Sequence, residues 1–386
     1  MNEDKNTDTS DTTNDLAWHL KHKRVIVCCG AGGVGKTTTS AALALAAARE
    51  GKRVLVVTID PSRRLAEALG VDRNPSEPMP LAEDWLRAAG VKAPGSLEAW
   101  MLDPQLIADN VVRERLKDPG AAERLLANRI YQNVTAMITG MQEYTAVEAL
   151  HGFIADDRYD LIVLDTPPSR NALRFLDAPS RASAFLDKRI LSLFIPGGAS
   201  FIRRLAARLL ERVMDLVFGA ETRAELQSFF ALFSHVLNHL NRNQDEMRVF
   251  FSKPEIGFLL VTSPDQEALT EAFYFEAKAR DELGLLVIGY VLNRSIAVTR
   301  SAPFPNPDET DDPVLKRALT KLATMARAEY VMSDEHQRLA ERLRKRSGDQ
   351  GITQVLPFLP ESGSEQEALV HLSYAIVGKE PPPAAT

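Results

Sequence analysis

The segment Arg24–Ser40, RVIVCCGAGGVGKTTTS, limits what this chain can fold into more than any other stretch. Arg24 to Cys29 is a short β-branched and apolar run, the pattern of a strand buried on both faces. Thr37 to Glu50 is alanine-rich, apolar at helical spacing and stopped by Gly51. Between them GAGGVGKT fits the pattern G-x-x-x-x-G-K-[ST]. Glycines at Gly30, Gly32, Gly33 and Gly35, with Val34 between, let the backbone curl until successive N–H groups converge on phosphate oxygens. Lys36 then reaches the β/γ-phosphates, and the Thr37 hydroxyl takes Mg²⁺. The helix that follows points its positive dipole end at the same anion. Strand, loop and helix in this order specify a nucleoside triphosphate site.

Composition removes other classes. Of 386 residues 45% are hydrophobic and 25% charged, as in ordinary globular proteins. The net charge of −6 supplies no global attraction to nucleic acid or anionic lipid, so no nucleic-acid partner is expected. Met1 to Asn14 is polar and acidic, unlike a signal peptide, and no apolar run approaches the roughly 20 residues of a membrane span. The two cysteines, Cys28 and Cys29, are adjacent in one strand. They make neither a structural disulfide nor a zinc site, which fits a reducing cytoplasm.

Along the chain, further buried strands read at Arg53–Ile59, Tyr159–Leu164, Gly257–Thr262, Leu285–Leu292 and Thr353–Leu356, with Ser96–Leu102 as an edge strand. Helical patterns cover Ser62–Leu69, Asp265–Leu283, Val314–Arg346 and Glu365–Val377. Asn74–Pro94 reads as a proline-rich surface excursion, and Ser301–Pro313 as a flexible loop. Strands alternating with helices predict a doubly wound, mostly parallel α/β sheet covered on both faces. Helical blocks at about 104–155 and 181–251 are too long for simple crossovers and predict an inserted helical subdomain beside the nucleotide. The expected organisation is a tail at 1–22, one domain over 23–377 carrying that subdomain, and a second tail at 378–386.

Three further elements fall at strand ends. Asp60 follows the second strand and is the candidate to orient the attacking water. Asp165 ends the YDLIVL strand, where an acidic Walker B residue holds Mg²⁺ through water. The turn Asp165–Ser169 behind it is placed to sense a γ-phosphate. A guanine reader would carry Asn-Lys-x-Asp after a late strand; Asn293-Arg294-Ser295-Ile296 lacks the aspartate, and Asn293 suits an adenine edge, so ATP is expected.

These motifs resemble one family. GAGGVGKTT, Asp60-Pro61, LDTPPSRNALRFL, VTSPDQEALTEA, and VLNR followed by LPFLP are similar to the ArsA arsenite-pump ATPases and the ATPases of guided entry of tail-anchored proteins. The likeness runs from about residue 24 to 377. It implies a phosphate-loop NTPase of the SIMIBI type, a Mg²⁺–ATP-driven dimer whose switches open and close a helical subdomain. Carried onto this chain, Lys36, Thr37 and Thr38 hold phosphates and Mg²⁺, Asp60 positions water, Asp165 belongs to the second switch, and Asn293 with Pro357 and Phe358 flanks adenine. The departures are specific. The family's loop has a lysine where this chain has Ala31, so either Arg63, Arg64 or Arg170 substitutes, a lysine-bearing paralogue supplies it in a heterodimer in place of a homodimer, or hydrolysis is slow. Arg170-Asn171 stands where the second switch usually carries Gly-His. The zinc-binding Cys-x-x-Cys of eukaryotic targeting members is missing, so no zinc is expected between subunits.

The cargo is weighed by chemistry. Direct arsenite binding needs about three converging thiolates and is not expected from two strand cysteines. A hydrophobic transmembrane segment or membrane-protein partner needs an apolar groove. Leu193, Phe194, Leu209, Val213, Met214, Val217, Phe218, Phe229, Phe230 and Phe233 are its candidates, with subdomain core as the plainer assignment. His235/His239 and the Arg204, Arg208, Arg212 stripe read as surface. Partition ATPases and iron-protein reductases share the loop. Membrane-binding members of the former end in an amphipathic helix, whereas Glu365–Val377 is short and followed by a proline-rich tail. The latter need cluster-ligating cysteines that this chain lacks.

Overall fold

The runs read as buried strands assemble into one eight-stranded sheet in the computed structural model, which describes residues 15–59, 64–71, 77–102, 104–129, 131–132, 150, 152–154, 156–168, 225–226, 228–233, 249–298, 306–349, 351–359 and 364–381. The strands are β1 (Val25–Cys29), β2 (Arg53–Thr58), β3 (Met79–Pro80), β4 (Ser96–Met101), β5 (Leu161–Asp165), β6 (Ile256–Thr262), β7 (Val287–Ser295) and β8 (Ile352–Pro357). Their order is β3-β4-β2-β5-β1-β6-β7-β8, and every pairing is parallel except β3 with β4. The expected doubly wound parallel sheet is what forms. All residues of β1, β5 and β6 are buried, because a parallel strand covered by helices on both faces has no wet side. The chain leaves β1 toward β2 and β4, returns to β5, then crosses to β6, β7 and β8. The direction of winding therefore reverses at β1, and a crevice opens beyond its carboxyl end.

The helices are α1 (Leu16–His22), α2 (Lys36–Arg49), α3 (Arg64–Leu69), α4 (Glu83–Ala88), α5 (Pro104–Arg115), α6 (Pro119–Leu126), α7 (Gln266–Ala277, running into one π turn at Lys278–Glu282), α8 (Pro313–Ser347) and α9 (Glu365–Ala375). Residues Ala41 to Ala48 of α2 are all buried, since a helix walled in by neighbours can approach them closely only with small side chains. Its end is tied to α9: the Arg49 guanidinium lies 3.5 Å from the Tyr374 ring centroid and donates to the Ser373 carbonyl at 2.6 Å.

By its internal contacts the chain divides into two units, one of Met1–Met101, Arg158–Arg170 and Pro254–Thr386, the other of Leu102–Asp157 and Asn171–Lys253. The first contains the whole sheet. In the second, the Tyr131 hydroxyl donates to Asp109 at 2.9 Å, and the Tyr131 ring meets Phe233 edge-on. Phe229 stacks on Phe233 at 4.9 Å.

Four expectations need correcting. The tail expected through residue 22 is helical from Leu16: Asp15 caps the helix, and Leu16 and Leu20, one turn apart, enter the core. Within Asn74–Pro94, the described part holds β3 and α4 rather than surface loop, with Leu81, Leu86, Ala89 and Val91 buried; its prolines obscured the apolar spacing. β4 is not the outermost strand, because β3 pairs beyond it. Phe229 and Phe233, named as candidate groove residues, are 3% and 1% exposed and form core with Tyr131. The other groove candidates except the half-buried Phe230 lie outside the described residues, as do His235, His239 and the arginine stripe.

Candidate nucleotide site

The loop that follows β1 is shaped by contacts that only glycine permits at two places. A Cβ on Gly30 would lie 2.0 Å from the Val261 carbonyl oxygen, so the chain leaves β1 pressed against the β6 backbone. Gly35 has φ +87° and stands at the N-cap of α2, where a Cβ would lie 2.2 Å from Asn293 Nδ2. Gly32 and Gly33 between them are exposed, and Val34 is buried. The first turn of α2 thus begins at the crevice, with the positive end of the helix dipole directed along its axis toward it.

Lys36 is 7% exposed and donates from Nζ to the Ala31 carbonyl at 2.7 Å, so its ammonium is folded back over the loop. Thr37 Oγ1 donates to Asp165 Oδ2 at 2.7 Å, and Thr38 is half-buried beside it. Asp165 ends β5 between β1 and β2, and Thr58 Oγ1 at the end of β2 donates to the same oxygen at 3.0 Å. The Thr166 hydroxyl donates to the Cys28 carbonyl at 2.8 Å, fixing the turn after β5 to β1. One carboxylate therefore links three strand or helix ends. Thr37 and Asp165 are hard oxygen donors, the kind Mg²⁺ takes one or two of while keeping waters and phosphate oxygens.

Asp60 lies outside the described residues, as do Arg63 and Arg170. Its neighbour Ile59 is described, and its N–H donates to the Asp165 carbonyl at 3.1 Å, which ties the end of β2 to the end of β5. On the far side of the loop, Asn293 is 5% exposed and donates from Nδ2 to the Val34 carbonyl at 2.9 Å. Its amide nitrogen thus braces the loop. Ser295 of β7 pairs with Pro357 of β8, and the Phe358 N–H donates to the Ser295 carbonyl at 3.0 Å. The Phe358 ring is 54% exposed at this edge.

Both thiols on β1 are buried. Burial is the main cause that pushes Cys29 up to about 12 and Cys28 higher still, so both stay protonated at neutral pH. Thr58 and Ser295 were not expected in the site, whereas Thr166 lies in the turn Asp165–Ser169 already singled out. Each ends or follows a buried strand, which is the one sequence signal that marks them.

Fold and loop together define a phosphate-loop α/β protein. The family model of the anion-transporting ATPases matches residues 23–275, and this chain belongs to that family. It is 31% identical over 183 residues to an arsenical pump-driving ATPase of Escherichia coli, covering 46% of this chain and 28% of that protein. It is 28% identical over 163 residues to the ATPase ASNA1 homolog 1 of Paramecium tetraurelia, covering 42% and 45%. With an ATPase GET3 of Malassezia globosa the figures are 29% over 168 residues, 44% and 46%. The chain spans less than half the length of each of these relatives. Among the described residues no helix is long and apolar enough to cross a membrane.

Proposed function

We propose that this chain binds Mg²⁺–ATP and hydrolyses it, acting as a cytoplasmic, nucleotide-driven dimer switch. The observation that carries the reading is the Thr37–Asp165 hydrogen bond, which joins the phosphate loop to the end of β5. In this reading the loop amides and the start of α2 hold the β-phosphate, and Lys36 swings from the Ala31 carbonyl to the β/γ-oxygens. Thr37 ligates Mg²⁺ directly and Asp165 through water, while Thr58 keeps the carboxylate in place. When bound, Mg²⁺ neutralises charge that develops on the transferred phosphoryl group. Asp60 orients the attacking water, and adenine lies at the edge of Asn293, Pro357 and Phe358.

Steady phosphate release from the isolated protein is the expected result. Asp60→Asn lowers kcat by about 100-fold or more, the range of lost base or positioning groups, with ATP affinity within about threefold of the parent. An Asp60→Asn protein that turns over normally sinks the assignment. The same trapped variant serves to test coupling to a hydrophobic transmembrane segment or membrane-protein partner, supported here by the family relationship. Equal capture of an apolar peptide with ATP and with ADP would exclude it.

Ala31 favours a second reading. Its methyl is buried where the family's lysine stands, so one phosphate contact is missing and turnover alone is slow. A lysine-bearing paralogue would then restore it in a heterodimer. The homodimer is supported by α8, whose exposed residues include Leu315, Leu322, Met325 and Met332. An antiparallel two-fold pairing sets Leu315 of each copy on Met332 of the other and Leu322 on Met325, with Glu329 beside Lys321. Leu322→Glu with Met325→Glu should convert a dimer to a monomer by light scattering. An unchanged dimer mass places the contact elsewhere.

A further inference from the structure

Asn293 and Phe358 can flank a base only if the end of β7 is held, and that end is irregular. Arg294 has φ +56°, in the left-handed region, and the β7–β8 register shifts between Leu292 and Ser295. A non-glycine residue is strained there and persists only where its surroundings impose it. The restraint comes from one helix. His336 Nδ1 of α8 accepts from the Ile296 N–H at 3.2 Å. Ser333 Oγ donates to the Ile296 carbonyl at 3.3 Å, and Gln337 Nε2 to the Ala297 carbonyl at 3.4 Å. From within the loop, Ser295 Oγ accepts from the Ala297 N–H at 3.1 Å. Three side chains within one turn of each other on α8 thus grip the three consecutive peptide units from 295–296 to 297–298. Burial lowers the His336 basicity despite the opposing pull of Glu335, a shift that favours the neutral ring whose nitrogen can accept.

We infer that Ser333, His336 and Gln337 are positioning residues for the base end of the nucleotide site. They hold segment 294–297 so that Asn293 stays on the Val34 carbonyl and the Phe358 ring stays at the strand edge. The inference rests on the assignment of that edge to adenine. It predicts that loss of the clasp weakens recognition of the base and leaves recognition of the phosphates alone.

The test is calorimetric titration of the full chain with Mg²⁺–ATP and, separately, with inorganic tripolyphosphate. His336→Leu removes the acceptor and leaves the Ile296 N–H unsatisfied, so ATP binding weakens about tenfold while tripolyphosphate binding stays within about twofold. His336→Asn, whose Oδ1 can stand where Nδ1 stood, recovers affinity to within about threefold of the parent. Gln337→Ala, at an exposed position, gives a smaller loss in the same base-specific sense and decides the matter if the leucine variant does not fold. Hydrogen exchange at the Ile296 amide should quicken in His336→Leu and not in His336→Asn. Parent-like ATP affinity in folded His336→Leu, or equal losses for ATP and tripolyphosphate, would overturn the inference. A parent protein that binds tripolyphosphate and ATP equally well would instead remove the adenine edge on which it rests.

Discussion

Lys36→Ala is expected to weaken ATP binding at least about 100-fold in calorimetry while the protein stays folded. The ammonium is the only side-chain cation the loop sequence itself carries, and a charge-assisted hydrogen bond to phosphate contributes about 1.5–3 kcal/mol. Its removal also leaves the Ala31 carbonyl without its present donor in a place 7% exposed, so the loop that shapes the site loses an internal tie as well. Alanine is the best helix former and sits here in the first turn of α2, so the helix itself is retained. A melting temperature within a few degrees of the parent, together with lost binding, separates the loss of a phosphate contact from unfolding. Parent-like affinity for ATP would overturn the nucleotide-site assignment.

The second large effect is structural. Gly30→Ala puts a methyl group 2.0 Å from the Val261 carbonyl oxygen, a backbone atom of the strand next door, and neither β1 nor β6 can yield without disturbing the centre of the sheet. Overpacking of this kind costs about 1–3 kcal/mol and more where backbone must move, and the displaced loop should lose nucleotide affinity altogether. Gly284→Ala is the control. Gly284 also needs a special backbone, φ +65°, but a Cβ there meets nothing within 4 Å. It should cost about 1–2 kcal/mol from strain alone and leave binding untouched. Denaturant melts of both variants, read beside ATP titration, distinguish a crowded site from an ordinary strained turn. Equal behaviour of the two would mean that the contact with Val261 has no bearing on the loop.

Much of the architecture is readable because it depends on short-range pattern. Buried strands such as β1, β5 and β6 appear as unbroken apolar runs, and the phosphate loop is contiguous in sequence, so both announce themselves before any packing is known. Elements whose apolar residues are few or widely spaced were harder. Leu16 and Leu20 of α1 are two positions in a polar stretch, and α4 lies among prolines. Phe229 and Phe233 show the converse problem. Periodicity says that Phe229 and Phe233 share a face, but only contact with Tyr131 makes that face interior rather than a groove.

What the sequence determined alone is the parallel sheet, the loop GAGGVGKT with its flanking strand and helix, and the aspartate that ends β5, because each is a local pattern tied to local chemistry. Tertiary structure decided which distant residues meet. Thr37, Thr58 and Asp165 share one oxygen though 128 and 107 residues separate the partners. Asn293 reaches back to Val34, and α8 closes on the turn after β7. No spacing rule predicts those meetings, since they depend on the order in which strands lie in the sheet and on which helix then covers their ends.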